Sequence, residues 1–155
     1  MAALTADRNT EYSLGDLLSI PVAAAEHIFA GALVCTDAEG YAVPAADTAG
    51  LVFQGVATAQ ADNRNGNDGD VSVVVRRRGR YRFDSASSLD QSALSAQVYA
   101  ADDQTVAAAD DVTNDVAVGV IDKVESAGVC WVSVDAAVLA GKSWSPATTT
   151  TTAGA

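Results

Sequence analysis

The apolar positions of this chain come in short β-branched runs, and Gly, Asp, Asn or Pro separates each run from the next. No apolar stripe is sustained with the 3.6-residue period of a helix. Short runs closed by turn-forming residues predict strands over 32–36, 41–44, 51–57, 71–83, 97–100, 116–121 and 129–134. Ala38-Glu39-Gly40 and Asn65-Gly66-Asn67-Asp68-Gly69-Asp70 carry turn or loop chemistry, since Asn and Asp side chains bond nearby backbone amides. Short helical turns are expected at 89–95 and, behind Asp135 as a cap, over 136–139. The pattern as a whole is all-β.

The pattern also repeats. Residues 32–47 (Ala-Leu-Val-Cys-Thr-Asp-Ala-Glu-Gly-Tyr-Ala-Val-Pro-Ala-Ala-Asp) followed by Phe53-Gln54-Gly55-Val56-Ala57 align, with one gap, with 96–110 (Ala-Gln-Val-Tyr-Ala-Ala-Asp-Asp-Gln-Thr-Val-Ala-Ala-Ala-Asp) followed by Ala117-Val118-Gly119-Val120-Ile121. Each copy reads as strand, acidic turn, strand, acidic loop, then a strand carrying Gly-Val. Two copies are too few for a stacked solenoid. They predict a small single-domain β-barrel or β-sandwich of two related halves. The ends differ from this body: 1–20 reads as an extended N-terminal arm with little strand alternation, 21–142 as the β-rich domain, and 143–155, threonine-rich and low in complexity, as a flexible tail.

With 155 residues, 49% of them apolar, the chain can bury a core without disulfides or metals. A net charge of −11 sets a field that repels a phosphate backbone, so nucleic acid is a poor general partner. The N-terminus lacks the charged head and apolar run of a secretion signal, and no apolar run approaches the ~18 residues of a membrane span. The expectation is a protein made and used without crossing a membrane. Cys35 and Cys130 sit far apart inside strand-like runs, without CxxC spacing, and read as buried free thiols.

Catalytic chemistry is sparse. The single histidine, His27, lies in Ala-Glu-His-Ile-Phe beside apolar residues, and no GxSxG elbow, HExxH or Gly-rich phosphate loop occurs. The loop 62–70 offers oxygens that suit calcium but lacks the twelve-residue spacing and terminal Glu of a specific site. No cofactor, metal or catalytic residue is expected, and the chain reads as a binding or structural protein rather than an enzyme.

The stretch Val73-Val-Val-Arg-Arg-Arg-Gly-Arg-Tyr-Arg-Phe83 concentrates the positive charge. As one continuous strand it places Arg76, Arg78, Arg80 and Arg82 on one face and Val73, Val75, Arg77, Gly79, Tyr81 and Phe83 on the other. Stacked like charges repel, so the row needs carboxylates, which arginine binds as a bidentate fork. These belong either to the chain's own twenty acids or to an acidic protein partner, with phosphate as the third alternative. Trp131 alternates within an apolar strand and reads as core, whereas Trp144 is the exposed aromatic.

The ordered motifs resemble the head decoration, or capsid cement, proteins of tailed bacteriophages. They are Gly31-Ala-Leu-Val34, Gln54-Gly-Val-Ala57, Gly69-Asp-Val-Ser-Val-Val-Val75 leading to Arg78-Gly-Arg-Tyr81, Ala96-Gln-Val-Tyr99, Val118-Gly-Val-Ile121 and Cys130-Trp-Val-Ser-Val-Asp135. The resemblance implies a non-enzymatic virion protein, made in the host bacterial cytoplasm, that binds the outside of the mature shell and stabilises it. Its implied partners are the major capsid protein and neighbouring copies of itself, often as a homotrimer. Arg76, Arg78, Arg80 and Arg82, with Arg8 and Tyr12 in the arm, are the expected capsid- or subunit-binding residues. A glycan- or host-surface-binding β-sandwich is the competing function class.

Overall fold

The computed structural model describes residues 3–137. In chain order its strands are β1 (Leu17–Pro21), β2 (His27–Ile28), β3 (Leu33–Thr36), β4 (Ala42–Pro44), β5 (Val52–Ala57), β6 (Ala61–Asp62), β7 (Ser72–Arg76), β8 (Arg78–Ser85), β9 (Gln97–Ala100), β10 (Thr105–Ala107), β11 (Ala117–Ser126) and β12 (Val129–Asp135). Short 3₁₀ turns fall at Gln91–Ala93, within the helical turn expected at 89–95, and at Ala109–Asp111. The all-β expectation holds. Of the helical turn expected over 136–139, Ala136 and Ala137 are helical, and 138–139, like the tail 143–155, lie outside the described residues.

The repeat seen in the sequence extends through the whole fold. The first half forms a sheet in the order β1-β7-β5-β3-β4, and the second a closed barrel in the order β10-β8-β12-β11-β9. Position by position, β8 corresponds to β1, β12 to β7, β11 to β5, β9 to β3 and β10 to β4. Both hairpins keep one register: Thr36 faces Ala42 and Cys35 faces Val43 in the first, while Ala100 faces Val106 and Tyr99 faces Ala107 in the second. The third strand is also matched, with Val34 opposite Gly55 and Val98 opposite Gly119, and each half has a β-bulge at that point. Even the closure corresponds. A single parallel bridge, Val22 to Ala42, joins the edges of the first sheet, which is otherwise an open barrel, where the parallel β8–β10 ladder seals the second.

A physical reason fixes glycine at 55 and 119. A Cβ at Gly55 would overlap the carbonyl of Arg76, and one at Gly119 the carbonyl of Ser133. The bulge brings the neighbouring backbone too close for any side chain. The two glycines of the Gly-Val motif thus occupy equivalent close approaches in the two barrels.

The apolar residues form two clusters rather than one core. Ile20, Val22, Val34, Ala42, Val73 and Val75 fill the first barrel. The second cluster combines the interior of the second barrel, such as Val98, Ile121 and Val132, with Leu33, Cys35, Phe53 and Val56 from the other face of the first sheet. This is why β3 is buried on both faces: Val34 points into its own barrel, while Leu33 and Cys35 point to its neighbour. Each fully buried Val, Leu or Ile contributes about 1.5–3 kcal/mol relative to exposure, so these clusters dominate the stabilisation. Both cysteines are free and buried within the second cluster.

Three sequence expectations change. The strand expected over 71–83 is two strands, because β7 pairs with β1 and β5 in the first half and β8 pairs with β12 in the second. Arg77 is the crossing point: its N–H donates to the carbonyl of Asp16, and its carbonyl accepts from the N–H of Ala136. The last four residues of the expected arm belong to β1, whose pairing with β7 orders them despite their weak alternation. Trp131, expected in the core, points outward, since the buried positions of β12 are Cys130, Val132 and Val134.

Candidate interaction surfaces

Alternation survives the break at Arg77, so Arg76, Arg78, Arg80 and Arg82 all stand on the exposed side as expected. Three of them meet carboxylates of this chain. Arg78 lies 3.2 Å from Asp16, Arg80 2.6 Å from Asp122 and Arg82 3.0 Å from Glu125. Glu125 also accepts from the indole N–H of Trp131 at 3.0 Å, and the Arg80 guanidinium sits over the Trp131 ring. The bond from Arg82, then that from Trp131, holds the Glu125 carboxyl below the usual carboxylate range, and Glu125 in turn raises the Arg82 guanidinium. All three pairs are substantially exposed, so they contribute little to stability and exchange readily for other carboxylates.

Arg76 has no ion pair among the described residues. Arg77, on the other face, is half-buried. It donates to Gln54 Oε1 at 3.3 Å, and Gln54 donates to Thr36 Oγ1 at 3.0 Å, which links the crossing point to β3 and β5. The Tyr81 hydroxyl is buried with no hydrogen-bond partner among the described residues, and desolvation raises its pKa.

The arm is the second surface. Residues 3–16 have no regular pairing and every one is exposed, including Leu4 at 71%, Tyr12 at 86% and Leu14 at 75%. Arg8 Nε donates to Thr10 Oγ1 at 3.3 Å within the arm itself. The arm is rooted beside the arginine row through Asp16. Among the described residues the arm meets the row through the Asp16–Arg78 pair, and neither Arg8 nor Tyr12 makes a hydrogen bond or ion pair with Arg80 or Arg82.

Acidic side chains elsewhere organise turns. Asp37 Oδ1 accepts from the N–H groups of Glu39 and Tyr41, and Asp102 Oδ1 from those of Gln104 and Thr105, one in each repeated hairpin. Asp47 clasps the two halves: its carboxylate accepts from Thr113 N–H at 2.7 Å and Asn114 N–H at 2.6 Å, which lowers its pKa. In the loop after β6, Asp68 accepts from Ala24 N–H and Asp70 from Asn67 N–H. Buried Asn63 donates to the carbonyls of Val22, Ala23 and Asn67. The side chains of this loop thus tie it to itself and to residues 22–24 that follow β1. No group of three His, Cys, Asp or Glu placed to hold a metal occurs among the described residues.

His27 packs at a tilt against exposed Phe29, ring centroids 4.1 Å apart, opposite Asp62 in the β2–β6 ribbon. Asp62 is bound by Arg64 at 2.7 Å. Sequence reasoning passed over this ribbon, because two paired residues on each side leave no alternation to read. Among the described residues no helix is long and apolar enough to cross a membrane. No family model, no curated protein and no solved structure matches the chain.

Proposed function

We propose that this chain is a structural virion protein that binds the outer surface of a mature phage shell and stabilises it, a head decoration protein. The observation that carries this reading is the arm: residues 3–16 project Leu4, Tyr12 and Leu14 into solvent from a compact, strongly acidic body. Apolar side chains held this far from a core lose burial energy unless another protein covers them. The arm is therefore a device for tying the body to a neighbouring protein in a lattice.

The arginine row supplies a second contact. Arg78, Arg80 and Arg82 are held by exposed carboxylates in pairs of low net value, so a shell carboxylate replaces the internal partner at little cost, and Arg76 has no ion pair among the described residues to give up. A net charge of −11 keeps the body from competing for packaged DNA. Low affinity per copy suffices, because the same contact recurs over the lattice.

Co-sedimentation with expanded and with precursor shells tests the proposal. Saturable binding to expanded shells, weakened when Arg78 and Arg80 are changed to Glu, is the expected result; no binding to either form overturns it. The outward Trp131, flanked by Arg80 and Glu125, favours one second reading, a glycan- or host-surface-binding module. Glycan-array hits abolished by Trp131→Ala would select that reading instead.

A further inference from the structure

The first barrel has an open seam. On either side of β1, the N–H of Val22 bonds to Val71 and the carbonyl of Asp16 accepts from Arg77, so in this register the even-numbered residues of the strand turn their backbone groups toward β7. Leu17 and Ser19 therefore aim their N–H and C=O groups outward. Among the described residues nothing pairs with that edge before the Val22–Ala42 bridge. Leu18 shows the consequence. It shares the inner face with Ile20 and lies opposite fully buried Val75, yet it remains 36% exposed. The outer face of the same edge presents Leu17, 54% exposed, with Val74 and Arg76, which has no ion pair among the described residues, one strand further in.

The arm has the complementary pattern. Written as a strand, its even positions from 4 to 14 are Leu4, Ala6, Arg8, Thr10, Tyr12 and Leu14, and its odd positions from 5 to 13 are Thr5, Asp7, Asn9, Glu11 and Ser13. One face is largely apolar; the other is polar and acidic. A strand of this kind laid along β1 sets Tyr12 or Leu14 beside Leu18 on the inner face. It also sets Asp7 or Glu11 on the outer face, about 10 Å from the Arg76 strand position, a gap the two long side chains span.

We infer that the arm of one copy adds as a strand to the outward edge of β1 in a second copy. Both halves of the contact, donor and acceptor, are present on one chain, which points to a second copy rather than an unrelated partner. Extended, the arm reaches about 45 Å, more than the ~35 Å diameter of a body of this size. The contact is head-to-tail, so repetition closes a ring or extends a chain of subunits. It also covers the edge that otherwise exposes unpaired backbone groups. This inference stands independently of any shell, because it is read in the purified protein alone.

Sedimentation velocity over a concentration series tests it with full-length chains. The unaltered protein is expected to self-associate. Ser19→Pro removes one outward N–H, a change an edge strand tolerates, and should weaken association about fivefold or more. Asp7→Lys with Glu11→Lys alters only the exposed arm and should weaken it similarly, with recovery when Arg76→Glu is added. Three results would overturn the inference: a monomer at every concentration, association indifferent to Ser19→Pro, or arm amides protected from exchange within a monomer. The last would mean that the arm folds back on its own β1.

Discussion

Gly55, Gly119 and Gly79 offer a graded test of how the duplicated barrel is built. Alanine at Gly119 meets only the close approach: its Cβ would overlap the Ser133 carbonyl, with the Val132 side chain at 2.6 Å, and the backbone needs no unusual φ. Alanine at Gly79 meets only backbone strain, since φ is +141° but the nearest atom, on the Tyr81 ring, stands at an ordinary 3.5 Å. Alanine at Gly55 meets both, with φ +146° and the Arg76 carbonyl in the way. Strain of this type costs about 1–3 kcal/mol, and forcing an extra methyl into a packed site about the same. Gly55→Ala should therefore lose about 2–6 kcal/mol and the other two about 1–3 each. At this chain length a loss of 1 kcal/mol lowers Tm by about 3–4 °C, so thermal melts followed by circular dichroism resolve the order. A melt unchanged by Gly119→Ala would refute the equivalence of the two bulges and the close approach on which it rests.

Other consequences are equally direct. The bonds from Thr113 and Asn114 depress the Asp47 pKa below its ordinary 3.8, so the clasp contributes stability above that value and loses it as pH falls through the lowered one. Asp47→Asn should flatten the acid limb of a Tm-versus-pH curve, and an unchanged limb would show that the clasp carries no linkage. Burial pushes the Cys35 thiol up to about 12 and raises that of Cys130, so a thiol reagent at pH 8 should label neither until the chain unfolds; fast labelling of the native protein contradicts their burial. Asn63→Ala strands the carbonyl of Ala23, whereas those of Val22 and Asn67 keep the N–H groups of Gly69 and Asp70, a loss of about 1–3 kcal/mol with easier proteolysis of the 62–70 loop, read by urea melts and limited digestion.

Period-2 alternation is a local property, and it was legible wherever a strand has one buried face. Val73 and Val75 against Ser72, Val74 and Arg76 is the clearest instance. The acidic turns were legible too, because an Asp that binds amides two to four residues ahead does so within its own hairpin. Duplication was visible in the first hairpin and the Gly-Val strand of each half. Correspondence of the flanking strands, β1 with β8 and β7 with β12, was not, because Leu17-Leu-Ser-Ile-Pro21 and Arg80-Tyr-Arg-Phe-Asp84 share a place in a sheet and hardly a residue.

The sequence by itself determined the all-β class, the exposed face of the arginine row, the free buried thiols and the two related halves, since each follows from spacing along the chain. Only the tertiary structure decided that 71–83 divides at Arg77 between two barrels. It also decided that the apolar residues form two clusters, that Trp131 faces outward, and which acids the arginines meet. Asp122 and Glu125 lie more than forty residues from Arg80 and Arg82. What joins them is the pairing of β8 with β12 and of β12 with β11, and that register is fixed by which side chains fill the barrel, not by any pattern inside the arginine stretch.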